Sequence, residues 1–585
     1  VSGSAKTRHW IFWVTLVLGV FVFLAASSVF LVIRSLRLAP TPVVAGSTLT
    51  VEMRGALPEE DLFAFNTSLF GVQQVTVKDV LDSMARAGRD ARVTGLLLRL
   101  RGTEVGWARI EEIRSALAEF KGSGKPSAAY LEFGGNADYY LAIAADKVYL
   151  HPQGILDVRG LTAEVTFLKG ALDKLGVEAE FEQIGAYKNA PDPFTRESMS
   201  EAHRRSLQEL VDEFHARLVE SIAAARQLEP GAVRAALDRG PLTAAEALEA
   251  RLVDELVYED EVAQRLRAEE PFHPLSVSDY RQSQTERGLS LAGRPKVALI
   301  YAEGLIVGGE SDDDPLVGKV IGSDTLAKAF STVREDDSIK AVVLRINSPG
   351  GSDVASDTIW REATLTKEKK PVVVSMSDVA ASGGYWIATA AHAIVAQPST
   401  LTGSIGIFAG KFNLQGLYQK LNIHVDKVER GRGGDFWTSS RPFTEAERER
   451  LRLHLRAGYQ RFLEKVAAAR QKKPEEVDAL GQGRVWTGAQ ALERGLVDDL
   501  GGLDRALELA RSRAKLPPDA EIDLLVYPEE RGLLELLMRR LTARASDIAL
   551  VGSLEPVKWL RRSAFLRLLT DESRLALMPY FVRIR

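Results

Sequence analysis

The stretch KVALIYAEG (296–304), followed by SDTLAKAFSTVREDD (323–337), AVVLRIN (341–347) and PVVVSMS (371–377), decides the fold class of this chain. Residues 297–301 and 371–375 are nearly continuous apolar runs of strand length, as strands covered on both faces should be. The segments between the runs, SDTLAKAFSTVREDD and the region from Ser356 to Lys367, are amphipathic and helix-like. Short β-branched runs alternating with helices predict βαβ units around a buried parallel sheet, an α/β fold.

The same pattern occurs twice. TGLLLRL (94–100) matches KAVVLRI (340–346), and YLAIAAD (140–146) matches WIATAAH (386–392), both at an offset of 246 residues. KLG (174–176) and KLN (420–422) keep that offset. With small indels, SIAAAR ending at Arg226 corresponds to EKVAAAR ending at Arg470, and LTAAEALEARLVDEL from 242 to WTGAQALERGLVDDL from 486. A fixed period of this length is the mark of a duplicated module. The polar, Pro-containing stretch 271–295 between the copies reads as a linker.

Bulk properties narrow the function. A chain of 585 residues exceeds one ordinary core, and 45% hydrophobic with 26% charged residues is the composition of a folded, largely water-soluble protein. With 75 basic against 79 acidic residues there is no field for gripping a phosphate backbone, so nucleic acid is not an expected partner. The absence of cysteine removes thiol catalysis, disulfides and cysteine-rich metal sites, and none of the eight histidines forms an HxxxH pair. No P-loop or dinucleotide fingerprint occurs, and no metal or other cofactor is expected.

From Trp10 to Ile33 the chain carries no charge and is nearly all apolar. As a helix this run would reach roughly 36 Å, enough to cross a hydrocarbon core of about 30 Å. A transmembrane anchor is expected over a cleaved signal peptide, because the run is longer than a signal h-region and no convincing small-x-small cleavage site precedes the polar sequence. Lys6 and Arg8 before it and Arg34 and Arg37 after it leave the orientation open. The expected layout is a short N-terminal tail (1–9), a transmembrane helix (10–33), an N-terminal α/β repeat (46–270), the linker (271–295), a C-terminal α/β repeat (296–525) and a helical extension (526–585).

Positions where one copy has chemistry that the other lacks separate function from packing. The second copy reads SDVAASGGYWIATAA, in which Ser382 follows a strand and precedes Gly383 and Gly384; the aligned residue of the first copy is Asn136, which cannot be an acyl-accepting nucleophile. A serine at a helix N-terminus beside glycine can expose its hydroxyl and offer backbone amides to a developing oxyanion, although serine is also a common helix cap there. The loop NSPGGS (347–352) ends a parallel strand where open α/β sheets bind ligands, and the first copy has RGTEVG (101–106) instead. Conversely, GAYKNAPDPFT (185–195) of the first copy holds Lys188, which has no lysine counterpart in GRGGDFWTSSRPFT (431–444). A lysine is ordinarily a solvated surface group, but a desolvated one with its pKa pushed toward neutrality can deprotonate a serine without histidine or aspartate.

These residues resemble the signal peptide peptidase A family of bacterial membrane proteases, in its long form with two tandem domains. The resemblance rests on NSPGGS, AASGGYW (380–386), PSTLTGSIGIF (398–408), GAYKNAPDPFT, WTGAQALERGLVDDLGG from 486 and the terminal ALMPY (576–580), in order along nearly the whole body. It implies a Ser/Lys dyad with Ser382 as nucleophile and Lys188 as general base, Ser404 orienting the lysine, and Gly351 with Gly383 forming the oxyanion hole. It further implies tandem crotonase/Clp-protease-like repeats, a homo-oligomer, usually a tetramer, and a catalytic body on the extracytoplasmic side of the bacterial inner membrane. Its peptide substrates would be signal-peptide remnants with small or hydrophobic side chains at the cleavage site. Two other readings follow from the fold alone: acyl-CoA thioester chemistry, which crotonase-like modules also perform, and a non-enzymatic tethered scaffold.

Overall fold

The computed structural model describes residues 43–60, 74–266, 272–285, 294–314, 318–431, 433–518, 520–528 and 575–578, with a few helical positions between 13 and 28. Apart from those few positions, the expected transmembrane helix at 10–33 lies outside the described residues, and among the described residues no helix is long and apolar enough to cross a membrane.

In the first module, strands β1 (Ser47–Gly55), β2 (Val93–Thr103), β3 (Ser127–Gly135) and β4 (Lys147–Asp157) pair in parallel. Strand β5 (Glu178–Ile184) departs from this sheet, while the short β6 (Leu242–Thr243) and β7 (Glu255–Leu256) both pair with β4. The crossovers are helices with local start signals. Thr76 caps Val77–Arg89 in a capping box with Asp79, and Ser200 caps the long helix Glu201–Arg226.

The expected linker is not all linker. Residues His273–Ser276 form β8, parallel to β1 at the sheet edge, and a helix follows at Val277–Thr285. Leu275, Val277 and Tyr280 of this stretch are buried, so a few well-spaced apolar side chains outweigh its polar composition. Pro274 is tolerated because β8 is an edge strand.

The second module repeats the plan. Its central sheet pairs β9 (Lys296–Glu303) with β13 (Ile339–Ser348) and β13 with β15 (Val372–Ala381), all parallel. The strands β10 (Leu305–Val307), β11 (Asp312–Asp314), β12 (Gly318–Gly322) and β14 (Gly350–Ser352) belong to a separate sheet described below. β15 continues in parallel to β16 (Ala393–Ala396) and β17 (Leu401–Gly403). As predicted for strands covered on both faces, Ala298, Ile300, Val342, Leu344 and Ile346 face one core, and Val297, Leu299, Ala341 and Val343 face another beneath the helix Leu503–Arg513. The helices Ser323–Glu335 and Asp353–Lys367 begin 246 residues after Val77 and Trp107, the starts of their counterparts in the first module.

The modules are not separate beads. β5 pairs antiparallel with β18 (Ile407–Asn413), so the end of one first-module crossover becomes an edge strand of a second-module sheet. The remaining strands are β19 (Val485–Thr487), β20 (Asp499–Leu500), β21 (Asp523–Tyr527) and β22 (Leu575–Leu577). The separate sheet runs β11, β12, β10, β14, β22, β18, β5. β21 carries the C-terminal repeat to Tyr527 as a strand beside β9. Of the expected helical extension (526–585) residues 526–528 and 575–578 are described, and none of them is helical: Val526 and Tyr527 end β21, and Leu575–Leu577 form β22, whose backbone pairs with strands on both sides.

Candidate active site

Two strand registers bring the singled-out residues together. Parallel pairing of Ala381 on β15 with Gly403 on β17 sets the next residues, Ser382 and Ser404, side by side. Antiparallel pairing of Ile407 on β18 with Ile184 on β5 then returns the first-module chain past Ser404 just before Lys188. Lys188 Nζ lies 2.7 Å from Ser382 Oγ, 3.0 Å from Ser404 Oγ and 3.0 Å from the Ser404 carbonyl oxygen. One chain therefore supplies all three residues, drawn from both modules.

Ser382 occupies the turn between β15 and the helix Gly383–Ala388 at φ 54°, ψ −112°, a conformation that L-residues rarely hold. Its amide donates to the Gly403 carbonyl at 2.8 Å and its carbonyl accepts from the Trp386 amide at 2.8 Å, which fixes the turn. Although Ser382 stands at the helix-cap position, its side chain makes no capping bond, so the hydroxyl is directed to Lys188 instead. Ser404 also has positive φ, 51°, and its amide donates to the Arg484 carbonyl. In the first module Asn136 opens the corresponding helix, Asn136–Ala142.

Lys188, Ser382 and Ser404 are all completely buried. Burial pushes the Lys188 amine well below the ordinary lysine pKa, and no carboxylate among the described residues pairs with it to restore the charge. A neutral amine has two N–H donors and one lone pair. The Ser404 carbonyl and hydroxyl oxygens can take the two donors, which leaves the lone pair for the Ser382 hydroxyl proton.

The room for this lysine is made by residues that sequence reasoning missed. A Cβ on Gly483 would collide with the Lys188 backbone, and one on Gly406 would stand 3.1 Å from Lys188 Cδ. The amide of Tyr187 donates to the Gln482 carbonyl at 2.8 Å, so the loop Gly481–Arg484 clamps the lysine segment. The glycines of GSIG (403–406) and GQG (481–483) were the available signal.

The PGG loop also reaches the site. Ser348 at the end of β13 is paired with Ala380 of β15, which sets Gly350 and Gly351 beside Ser382 and Gly383. A Cβ on Gly383 would lie 3.2 Å from Gly350 Cα. Gly351, expected as the principal oxyanion donor, pairs with Ile306 on one side and Ala576 on the other. Among the described residues there is no cluster of histidine, aspartate and glutamate able to hold a metal ion.

A deprotonatable serine on a strained strand-to-helix turn, beside a buried amine and a glycine-rich loop, has the parts of an acyl-transfer site. The comparisons define the class as serine protease. The family model described as "Peptidase family S49" matches residues 119–272 and again 364–517; the first match contains Lys188 and the second Ser382 and Ser404. The chain belongs to peptidase family S49. It is 34% identical over 489 residues to the "Serine protease SPPA, chloroplastic" of Arabidopsis thaliana, covering 82% of this chain and 71% of that protein. It is 35% identical over 504 residues to the "Protease 4" of Salmonella typhi (82% and 79% covered) and 33% identical over 466 residues to that of Haemophilus influenzae (77% and 75%). The resemblance seen in the sequence motifs thus extends over most of the chain.

Proposed function

We propose that this chain is a membrane-anchored endopeptidase that degrades cleaved signal peptides and other hydrophobic peptides through a Ser382/Lys188 dyad. The observation that carries the proposal is the 2.7 Å approach of the buried, uncompensated Lys188 amine to Ser382 Oγ. Neutral Lys188 removes the Ser382 proton as Oγ attacks the peptide carbonyl, and the ammonium then protonates the leaving amine. Lys188, neutral again, activates water to release the acyl group. Backbone amides at Gly351 and Gly383 receive the oxyanion, and Ser404 holds the amine in line.

The relationship with two "Protease 4" proteins and a "Serine protease SPPA" supports peptide substrates over thioesters. The anchor belongs to residues 10–33, with the catalytic body extracytoplasmic at a bacterial inner membrane. The body assembles as a homotetramer of crotonase/Clp-like repeats. Hydrolysis of a short hydrophobic fluorogenic peptide by wild type, Ser382→Ala and Lys188→Ala tests the dyad: both variants should be inactive, and full activity in Lys188→Ala would refute it. Size measurement in detergent and flotation with vesicles test the assembly and the anchor.

A further inference from the structure

Lys188 and the Ser404 atoms that receive its N–H groups meet the same short turn, Gly481–Arg484. On one side of it Gly403 of β17 pairs antiparallel with Val485 of β19, the Ser404 amide donates to the Arg484 carbonyl at 2.7 Å, and the Gly483 amide donates to the Ile405 carbonyl at 2.8 Å. On the other side the Tyr187 amide donates to the Gln482 carbonyl, and a Cβ on Gly483 would come within 2.5 Å of Lys188 N and Cα. The turn therefore sets both the general base and its acceptors relative to Ser382, which is held separately by the end of β15.

This turn is strained. Gln482 and Gly483 follow one another at φ 55° and 80°, and a side-chain-bearing residue keeps such a conformation only where its surroundings hold it. Gln482 is tied within the second module, its side chain donating to Asp478 and its amide to the Tyr459 hydroxyl at 3.1 Å. Arg484 reaches the other way, into the first module. Its guanidinium lies over the Tyr187 ring at 5.1 Å and over the Trp486 ring at 4.2 Å, and it pairs with Glu209 of the helix Glu201–Arg226. A planar guanidinium can lie on aromatic faces while its N–H edge meets a carboxylate, which a lysine ammonium cannot reproduce. Arg484 thus touches Ser404 through its carbonyl and the neighbour of Lys188 through its side chain. Its side chain is partly exposed and that of Glu209 more so, which places this clasp at the rim of the buried dyad.

We infer that Arg484 is a positioning residue for the general base: through Tyr187, Trp486 and Glu209 it registers the lysine segment of the first module against the turn that carries the Ser404 acceptors. The inference rests on the protease reading above. Without the clasp the lysine segment and the turn slip past one another, the amine moves away from Ser382 Oγ, and water reaches it.

The test follows fluorophosphonate labelling of Ser382 and hydrolysis of a hydrophobic fluorogenic peptide against pH, in full-length wild type, Arg484→Met, Arg484→Lys, Tyr187→Leu and the Arg484→Met/Tyr187→Leu double variant. Arg484→Met should lower kcat about 10- to 100-fold with KM within about twofold. The apparent pKa of kcat/KM and of labelling should move up toward that of a free lysine, because a less desolvated amine holds its proton more tightly. Arg484→Lys, which keeps the charge and loses the planar face, should recover only part of the loss. Tyr187→Leu should show the same shift, and the double variant should be no worse than the poorer single one, since both act through one contact. An unmoved pH profile overturns the proposal, even if kcat and thermal stability fall together, because Arg484 would then only support the fold. Additive losses in the double variant overturn it as well. If the wild type is neither labelled nor active, the protease reading fails and this inference falls with it; if the wild type is labelled and active and the variants share its pH profile, only the role of Arg484 fails.

Discussion

Arg345 Nη2 lies 2.6 Å from Glu112 Oε2, an ion pair that crosses from the module carrying Ser382 to the module carrying Lys188. The same guanidinium grips Glu59 at 3.0 and 3.1 Å and donates to Ser375 Oγ, while Ser377 donates to Glu59. Arg345 is on β13, leading into the PGG loop, and Ser375 and Ser377 are on β15, leading into Ser382. All of these side chains are buried. Burial and the nearby Glu59 charge raise the Glu112 pKa despite Arg345; for Glu59, burial acts upward but Arg345, Arg109 and Ser377 bring the pKa below its ordinary value.

Replacing Arg345 removes the ion-pair partner of two buried carboxylates, leaving Glu59 only the field of Arg109. Arg345→Met should lower the unfolding free energy by about 3–5 kcal/mol, read from the denaturant midpoint. The Glu59→Gln/Glu112→Gln/Arg345→Met triple variant, with no buried charge left unpaired, should recover much of that loss.

The Lys188 amine sets a pH dependence with a definite sign. Its pKa in the fold is well below the ordinary lysine value, so kcat/KM should rise with pH through an apparent pKa far below about 10.4, the value of a free lysine. Between those two pKa values the unfolded chain binds more protons than the native one, so stability also rises with pH across that window and levels off above it. Lys188→Met should abolish the activity, remove this slope and raise stability at neutral pH. Urea melts from pH 6 to 10 would show whether the slope belongs to Lys188.

Lysine orientation divides between two atoms of Ser404. Ser404→Ala removes the hydroxyl acceptor but keeps the carbonyl. A loss of about 1 kcal/mol, roughly five- to tenfold in kcat/KM, is expected, whereas Lys188→Arg, charged at every working pH, should remain inactive. Steady-state kinetics of the two variants side by side would check both.

Gly350 has φ 101°, which side-chain-bearing residues rarely adopt, and a Cβ there would approach Gly383 N to 2.7 Å. Gly350→Ala should therefore cut kcat by at least about 100-fold through distortion of the oxyanion loop. Its folding stability should fall by only about 1–3 kcal/mol. Single-turnover acylation set against thermal melting would separate the two effects.

The sequence by itself determined the α/β class, the duplication and the serine's turn, because these are written locally. Continuous apolar runs such as PVVVSMS make buried strands, and amphipathic runs such as SDTLAKAFSTVREDD make helices over them. A missing serine in the first copy, where Asn136 stands, marks Ser382 as more than packing. Tertiary structure alone decided the rest. The copy comparison and the resemblance singled out Lys188 of GAYKNAPDPFT, but its complete burial comes from β5 crossing into the other module and from glycines 406 and 483, which leave space for the side chain. The buried Arg345 cluster and the insertion of β22 were likewise hidden. Pairing between residues hundreds of positions apart depends on which backbone edges and which charges meet in three dimensions, and no local pattern encodes that meeting.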